Sequence, residues 1–255
     1  MLFDAHAHYD DEAFNNDRDE VIRKVHENGV AYILNASSNI ASAVESISLA
    51  QKFDFVYAAV GIHPHDVQGI NMNAISTIGD MASHKKVRAV GEIGLDYHYQ
   101  DTPRELQKLW FKAQINLAKN LGLPVIIHSR ESHEDVLEIV KNENAKTVGG
   151  VFHCFSGSVE VAREALNNNF YISFGGPVTF KNARRPMEAV MYVPLDRLLI
   201  ETDCPMLAPE PHRGRRNDSS YLRLIAEKIA DIKGLSYEEV SEVTTNNAMR
   251  LFGVS

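Results

Sequence analysis

This sequence is poor in the features that would name a function quickly. Only two of its 255 residues are cysteine, Cys154 and Cys204, and neither belongs to a CxxC pair, so neither a disulfide scaffold nor a zinc ribbon is supported. No uninterrupted apolar run approaches the roughly 18 residues that would span a bilayer, and Asp4 and His6 interrupt any secretory apolar region. A cytoplasmic location with no membrane partner is the expectation. GxxxxGK[ST] is missing, which excludes a P-loop, and no GxGxxG follows a strand pattern as a dinucleotide fold requires. Net positive charge is absent as well. At −8, the chain cannot hold duplex DNA by bulk charge, so any phosphate chemistry must be concentrated at one site. Low-complexity linkers and solenoid-length repeats are also lacking, which leaves a single unit over 1–255.

What the chain has in excess is histidine, at 11 residues, against an otherwise ordinary 44% hydrophobic and 24% charged composition. The apolar patterning predicts strands at 2–8, 30–36, 55–60, 87–93, 124–128, 148–153, 170–174 and 197–202. Helical periodicity falls between them at 17–28, 41–53, 73–83, 103–121, 134–142 and 159–168, then at 219–233 and 237–252. Short strands of continuous apolar character are those of a parallel sheet buried on both faces. Eight of them alternating with helices over this length make an α/β fold, a single-domain (β/α)8 TIM barrel. A doubly wound open sheet is the second choice.

The histidines and carboxylates collect at strand ends. His6 and His8 close the first strand, spaced by two so that both imidazoles leave one face. His63 follows the third strand, Glu92 closes the fourth, His128 the fifth, His153 the sixth and Asp203 the eighth. In barrels of this kind that C-terminal face carries the active site. Four imidazoles (His6, His8, His128, His153) and two carboxylates (Glu92, Asp203) are too many donors for one tetrahedral ion. They suit two divalent ions sharing a carboxylate, and Glu92 is placed to bridge.

Asp203 is the candidate to orient the attacking water or take its proton, with a pure ligand role equally open. Arg130, two after His128, is a candidate for phosphate oxygens, with a surface ion pair as the plain reading, and His63 for the scissile phosphate, a third ion or loop anchoring. Glu201 is open between a supporting and a structural role. Tyr97, His98 and Tyr99 are placed to stack on a base, and His212, Arg213, Arg215 and Arg216 to form a basic rim, with packing and a solvated loop as the plain readings. Both cysteines read as core thiols.

Six motifs carry a resemblance. DAHAH at 4–8, GIHPH at 61–65, GEIGLDY at 91–97, HSR at 128–130, HCFSG at 153–157 and ETDCP at 201–205 occur in order. With the closing NAMRLF they resemble the TatD family of metal-dependent deoxyribonucleases. The resemblance implies an amidohydrolase-related barrel, a two-metal site and hydrolysis of nucleic-acid phosphodiesters, often from the 3′ end. It implies His6, His8, Glu92 and Asp203 on one ion, and Glu92, His128 and His153 on the other. It points to Mg or Mn, whereas imidazole-rich donors suit Zn, Mn, Fe or Ni, so the metal stays open. The expected partner is DNA or an oligonucleotide and the expected state a monomer. The alternative is an amidohydrolase or esterase acting on a small molecule or aminoacyl group. Against it, the fourth strand ends in Glu92 and not in the lysine that such enzymes carboxylate as a bridge.

Overall fold

A computed structural model describes residues 1–99 and 101–254. Eight strands follow one another: β1 Leu2–Ala7, β2 Val30–Ala36, β3 Val56–Val60, β4 Val87–Asp96, β5 Val125–Arg130, β6 Gly150–Phe152, β7 Phe170–Phe174 and β8 Leu198–Ile200. All neighbours pair in parallel in the order β1 to β8. The ring closes at its mouth, where the Asp203 N–H donates to the His6 carbonyl (2.9 Å) and the His8 N–H to the Cys204 carbonyl (2.8 Å). One apolar cluster draws from every strand (Phe3, Leu34, Ala59, Ala89, Ile126, Val151, Tyr171 and Leu199), as the interior of a closed barrel must. The fold is the (β/α)8 barrel, and the open sheet is set aside.

The helices are α1 Arg18–Glu27, α2 Ile40–Lys52, α3 Ala74–Ala82, α4 Arg104–Leu121, α5 His133–Asn142, α6 Val159–Asn167, α7 Arg184–Tyr192, α8 Leu222–Lys233 and α9 Tyr237–Phe252. α4 ends in Gly122 at φ 67°, the left-handed conformation a glycine cap supplies. α9 starts with a capping box between Ser236 and Glu239. No helix among the described residues is long and apolar enough to cross a membrane.

Two corrections bear on the site. The sequence reading left 175–196 without a helix, but α7 lies there, with Pro186 in its first turn where no backbone N–H is needed. Strand lengths also shift: β4 runs on to Asp96 and β5 to Arg130, while β6 and β8 stop early. Glu92 therefore sits inside its strand, and His63 and Asp203 lie three residues beyond theirs.

β4 and β5 approach closely at Gly94, whose φ is 147° and whose register partner is His128. A Cβ there would overlap the His128 carbonyl oxygen. Gly94→Ala should destabilise the fold by at least about 2 kcal/mol, from overpacking and the disfavoured φ together. Urea unfolding followed by circular dichroism reads this directly, and a midpoint equal to wild type would refute the close approach.

Candidate metal centre

The site begins with β1, which is buried along its whole length. Its even positions send His6 and His8 to one point, their Nε2 atoms 3.0 Å apart. His8 is fixed from behind, because its Nδ1–H donates to the Ala36 carbonyl at 2.9 Å, so that Nε2 is the ring nitrogen turned toward the site. Glu92 Oε2 lies 3.4 Å from His6 Nε2 and 3.6 Å from His8 Nε2. Asp203 Oδ1 approaches the same two nitrogens at 3.7 and 3.3 Å. The other Glu92 oxygen, Oε1, is 2.7 Å from both His128 Nδ1 and His153 Nε2. His63 Nε2 comes within 3.7 Å of that oxygen. One carboxylate thus stands between two groups of imidazoles.

Donor atoms converge in three compact groups: His6, His8 and Asp203; His6, His153 and Glu201; and His63, Glu92 and His128. The first matches three of the four ligands expected for one ion. The third brings His63 into the place expected for His153, although His153 touches Glu92. Two nitrogens on metal bonds of about 2.0–2.1 Å stand roughly 3 Å apart, so the His6–His8 spacing fits a shared ion. His6 Nδ1 is buried with no hydrogen-bond partner, whereas His153 Nδ1 faces Glu201.

Electrostatics follow from burial against charge. Burial pulls His8 down, but its bond to Asp203 and the charges of Asp203 and Glu92 outweigh it and raise the imidazole to about 9. The same contest raises His128, through Asp96 and Glu92, and His153, through Glu92 and Glu201. Burial wins at His63, which falls to about 3, and at His6, where the neighbouring His153 adds to it. Burial works to raise Glu92, yet the surrounding imidazoles hold it well below its ordinary value, and Asp203 is lowered in the same way.

Several supporting residues escaped the sequence reading. Asp96 Oδ2 meets His128 Nε2 at 3.0 Å, and Asp4 accepts from the Thr202 N–H (2.9 Å), the Thr202 hydroxyl (2.5 Å) and the Ser219 hydroxyl (2.7 Å). Burial pushes the Asp4 carboxyl up to about 7. The signal for both was even spacing: Asp4 is two before His6, and Asp96 four after Glu92. Gln107 and Gln114 on α4 grip the backbone N–H and carbonyl of Asp96 and Ile62 at 2.8–3.0 Å. Glu201 accepts the Cys154 N–H at 2.6 Å and lies 3.3 Å from His153 Nδ1, which favours its supporting role.

Other expectations meet mixed outcomes. Arg130 is exposed and lines a cavity of about 290 Å³ beside His128, His153 and Asp203. Tyr97 is tied down, its hydroxyl donating to Asp135 at 2.5 Å under the Arg104 guanidinium, whereas Tyr99 is 49% exposed with Arg130 at 5.3 Å from its ring. Arg216 is committed to Asp17 through bonds of 2.8 and 2.6 Å, so it does not serve a free basic rim. His212 stacks on Tyr221 and Arg213 on Phe180. Cys204 is a core thiol, but Cys154 is only partly buried and lines the cavity, because β6 ends before it and its φ of 40° breaks the strand alternation.

Comparison with known proteins agrees with this geometry. The YabD protein of Bacillus subtilis, described as an uncharacterized metal-dependent hydrolase, is 48% identical over the full length of both chains. A protein of Erwinia tasmaniensis named 3'-5' ssDNA/RNA exonuclease TatD is 32% identical, over 99% of this chain and 100% of its own. The crystal structure of YjjV, a TatD homologue from Escherichia coli K12, superposes with a TM-score of 0.94 at 28% identity, covering 100% of this chain and 98% of that one. The family described as TatD related DNase matches residues 3–253, and the chain therefore belongs to it as a metal-dependent hydrolase.

Proposed function

We propose that this hydrolase cleaves phosphodiester bonds of DNA or oligonucleotides one nucleotide at a time from the 3′ end, using two divalent ions. The observation that carries the reading is the division of Glu92, with Oε2 toward His6 and His8 and Oε1 toward His128 and His153. In this assignment His6, His8 and Asp203 hold one ion with Glu92, and His128 and His153 hold the other. Zn or Mn suits these donors better than Mg. Bound divalent ions supply charge for the phosphate oxygens and lower the pKa of water.

The chain's own groups do the rest. Asp203 orients the attacking water and takes its proton. His63, kept neutral by burial, offers Nε2 beside Glu92 as a polar contact to the scissile group. Arg130 reaches phosphate oxygens from the rim, where a guanidinium can bind two of them at once. The relative named as a ssDNA/RNA exonuclease supports this substrate class. All the proposed ligands come from one chain, 1–255, so a monomer suffices. Two unpaired cysteines suit a reducing cytoplasm.

Asp203→Asn should lower kcat on 3′-end-labelled single-stranded DNA by roughly 10²–10⁴-fold at saturating metal, while much of the metal stays bound. Activity near wild type would reject its role, and activity surviving His128→Ala would reject the metal assignment.

Protonated imidazoles must deprotonate before they ligate, so metal uptake should release protons. His8 holds its proton up to about 9, and His128 and His153 are raised with it, so affinity for Zn or Mn should strengthen as pH rises toward 9. Calorimetric titration in two buffers of different ionisation enthalpy measures the release, and heats identical in both would contradict it.

A further inference from the structure

Of the three donor groups at the centre, His6, His153 and Glu201 form the one that the two-ion assignment leaves without an ion. All three are buried, and each holds a donor atom within 4.8 Å of the others. The group cannot serve a third ion while the other two are bound, because a neutral imidazole has a single lone pair. His6 turns Nε2 toward His8 and Asp203, at 3.0 and 3.7 Å, and His153 turns Nε2 toward Glu92 at 2.7 Å. Ligation through those atoms leaves both Nδ1 atoms as N–H donors.

Buried donors need acceptors, and one carboxylate is in place for both. The His6 and His153 rings stack nearly parallel, with centroids 4.0 Å apart and planes at 16°. Glu201 follows β8 directly, and its N–H donates to the Phe174 carbonyl of β7 at 3.2 Å, so the sheet fixes its backbone. Its Oε1 accepts the Cys154 N–H at 2.6 Å and lies 3.3 Å from His153 Nδ1. Glu201 Oε2 and His6 Nδ1 are both buried without a partner. One is an acceptor with nothing to accept. The other, with Nε2 ligated, is a donor with nothing to donate to.

We propose that Glu201 is a positioning residue shared by both ions, with Oε1 accepting from His153 Nδ1–H and Oε2 from His6 Nδ1–H; this rests on the two-ion reading above. Each imidazole is then locked in the tautomer that presents Nε2, His6 to one ion and His153 to the other. A carboxylate behind a ligating imidazole fixes the ring and raises its basicity. Here a single carboxylate does this for two ligands of different ions. Glu92 joins the ions from the front, and Glu201 joins their ligands from behind.

Equilibrium dialysis of Zn against the whole chain reads both sites, and wild type should hold two ions. In Glu201→Gln the amide oxygen, kept by the Cys154 N–H, is a weaker uncharged acceptor for His153, and the NH2 opposes the His6 N–H. Both affinities should therefore fall about 10–100-fold, the scale of losing a ligand's outer partner. Asp96→Asn, which among the proposed ligands meets only His128 (3.0 Å), should weaken one ion alone. Weakening of a single ion, or of neither, in Glu201→Gln overturns the shared role and leaves the two-ion reading standing. Fewer than two ions on wild type overturns both. Nitrogen-15 spectra of the Zn-loaded wild type, labelled at histidine, need no variant to fold. They should show His6 and His153 each protonated at Nδ1 and slow to exchange with water, and a His6 Nδ1 that is unprotonated or exchanges rapidly overturns the bond to Oε2.

Discussion

A carboxylate buried in a barrel mouth must be compensated, and the arrangement around Glu92 is the answer to that requirement. An ion in its position, 4% exposed, would be several kcal/mol too costly if left alone. Each oxygen therefore faces imidazoles, and two of these are held from behind by further carboxylates. Glu92, His128 and Asp96 form one chain, which His65 extends at 3.3 Å from Asp96. Glu92, His153 and Glu201 form another. An imidazole between two carboxylates is fixed in orientation and made more basic, as a good metal ligand requires. Protons on these imidazoles and divalent ions at the same place would supply the same positive charge, so protonation opposes metal loading.

The same mouth is where the barrel is sewn shut. β8 is only three residues long, and past Ile200 the chain joins β1 through a carboxylate: Asp4 takes both the N–H and the hydroxyl of Thr202, and Ser219 completes its shell. Beyond it, backbone bonds link His6 to Asp203 and His8 to Cys204. Closing the seam places Asp203 opposite His6 and His8, so fold and ligand geometry are set by one group of contacts. Asp203 pays in backbone conformation, with φ at 55°. Positive φ recurs at Cys154 and Leu207 on the same rim, and such residues gather at functional sites.

Much of this was readable from spacing. Eight apolar strands alternating with helices led to the barrel, and period two at His6 and His8 with polar residues ending the other strands led to six expected ligands, which the fold brings together. Spacing fails where backbone geometry leaves the strand. Cys154 turns into the cavity because β6 stops at Phe152, which alternation cannot anticipate. α7 carries a proline, Pro186, in its first turn, where a helix tolerates it. Arg216 pairs with Asp17, some 200 positions away, and that contact exists only once β1 and β8 are neighbours. His63 was placed after β3 by the sequence, but its approach to Glu92 depends on the loop's anchor.

That anchor explains the long α4. Its apolar face buries Trp110, Phe111, Ile115 and Ala118, and Gln107 and Gln114 are buried with them. A buried amide costs free energy unless all its hydrogen-bonding groups are used. Here each amide mimics a neighbouring strand: Gln114 satisfies both backbone groups of Ile62 just before His63, and Gln107 satisfies both of Asp96. The Asn217 amide binds the carbonyls of Thr202 and Met206 on the opposite side. Amides do not titrate in the working pH range. The frame carrying His63, Asp96 and Asp203 is thus held by groups indifferent to pH, while the groups that titrate are the imidazoles and carboxylates inside it. Separating the two kinds of polar group lets the centre change charge without loosening its geometry.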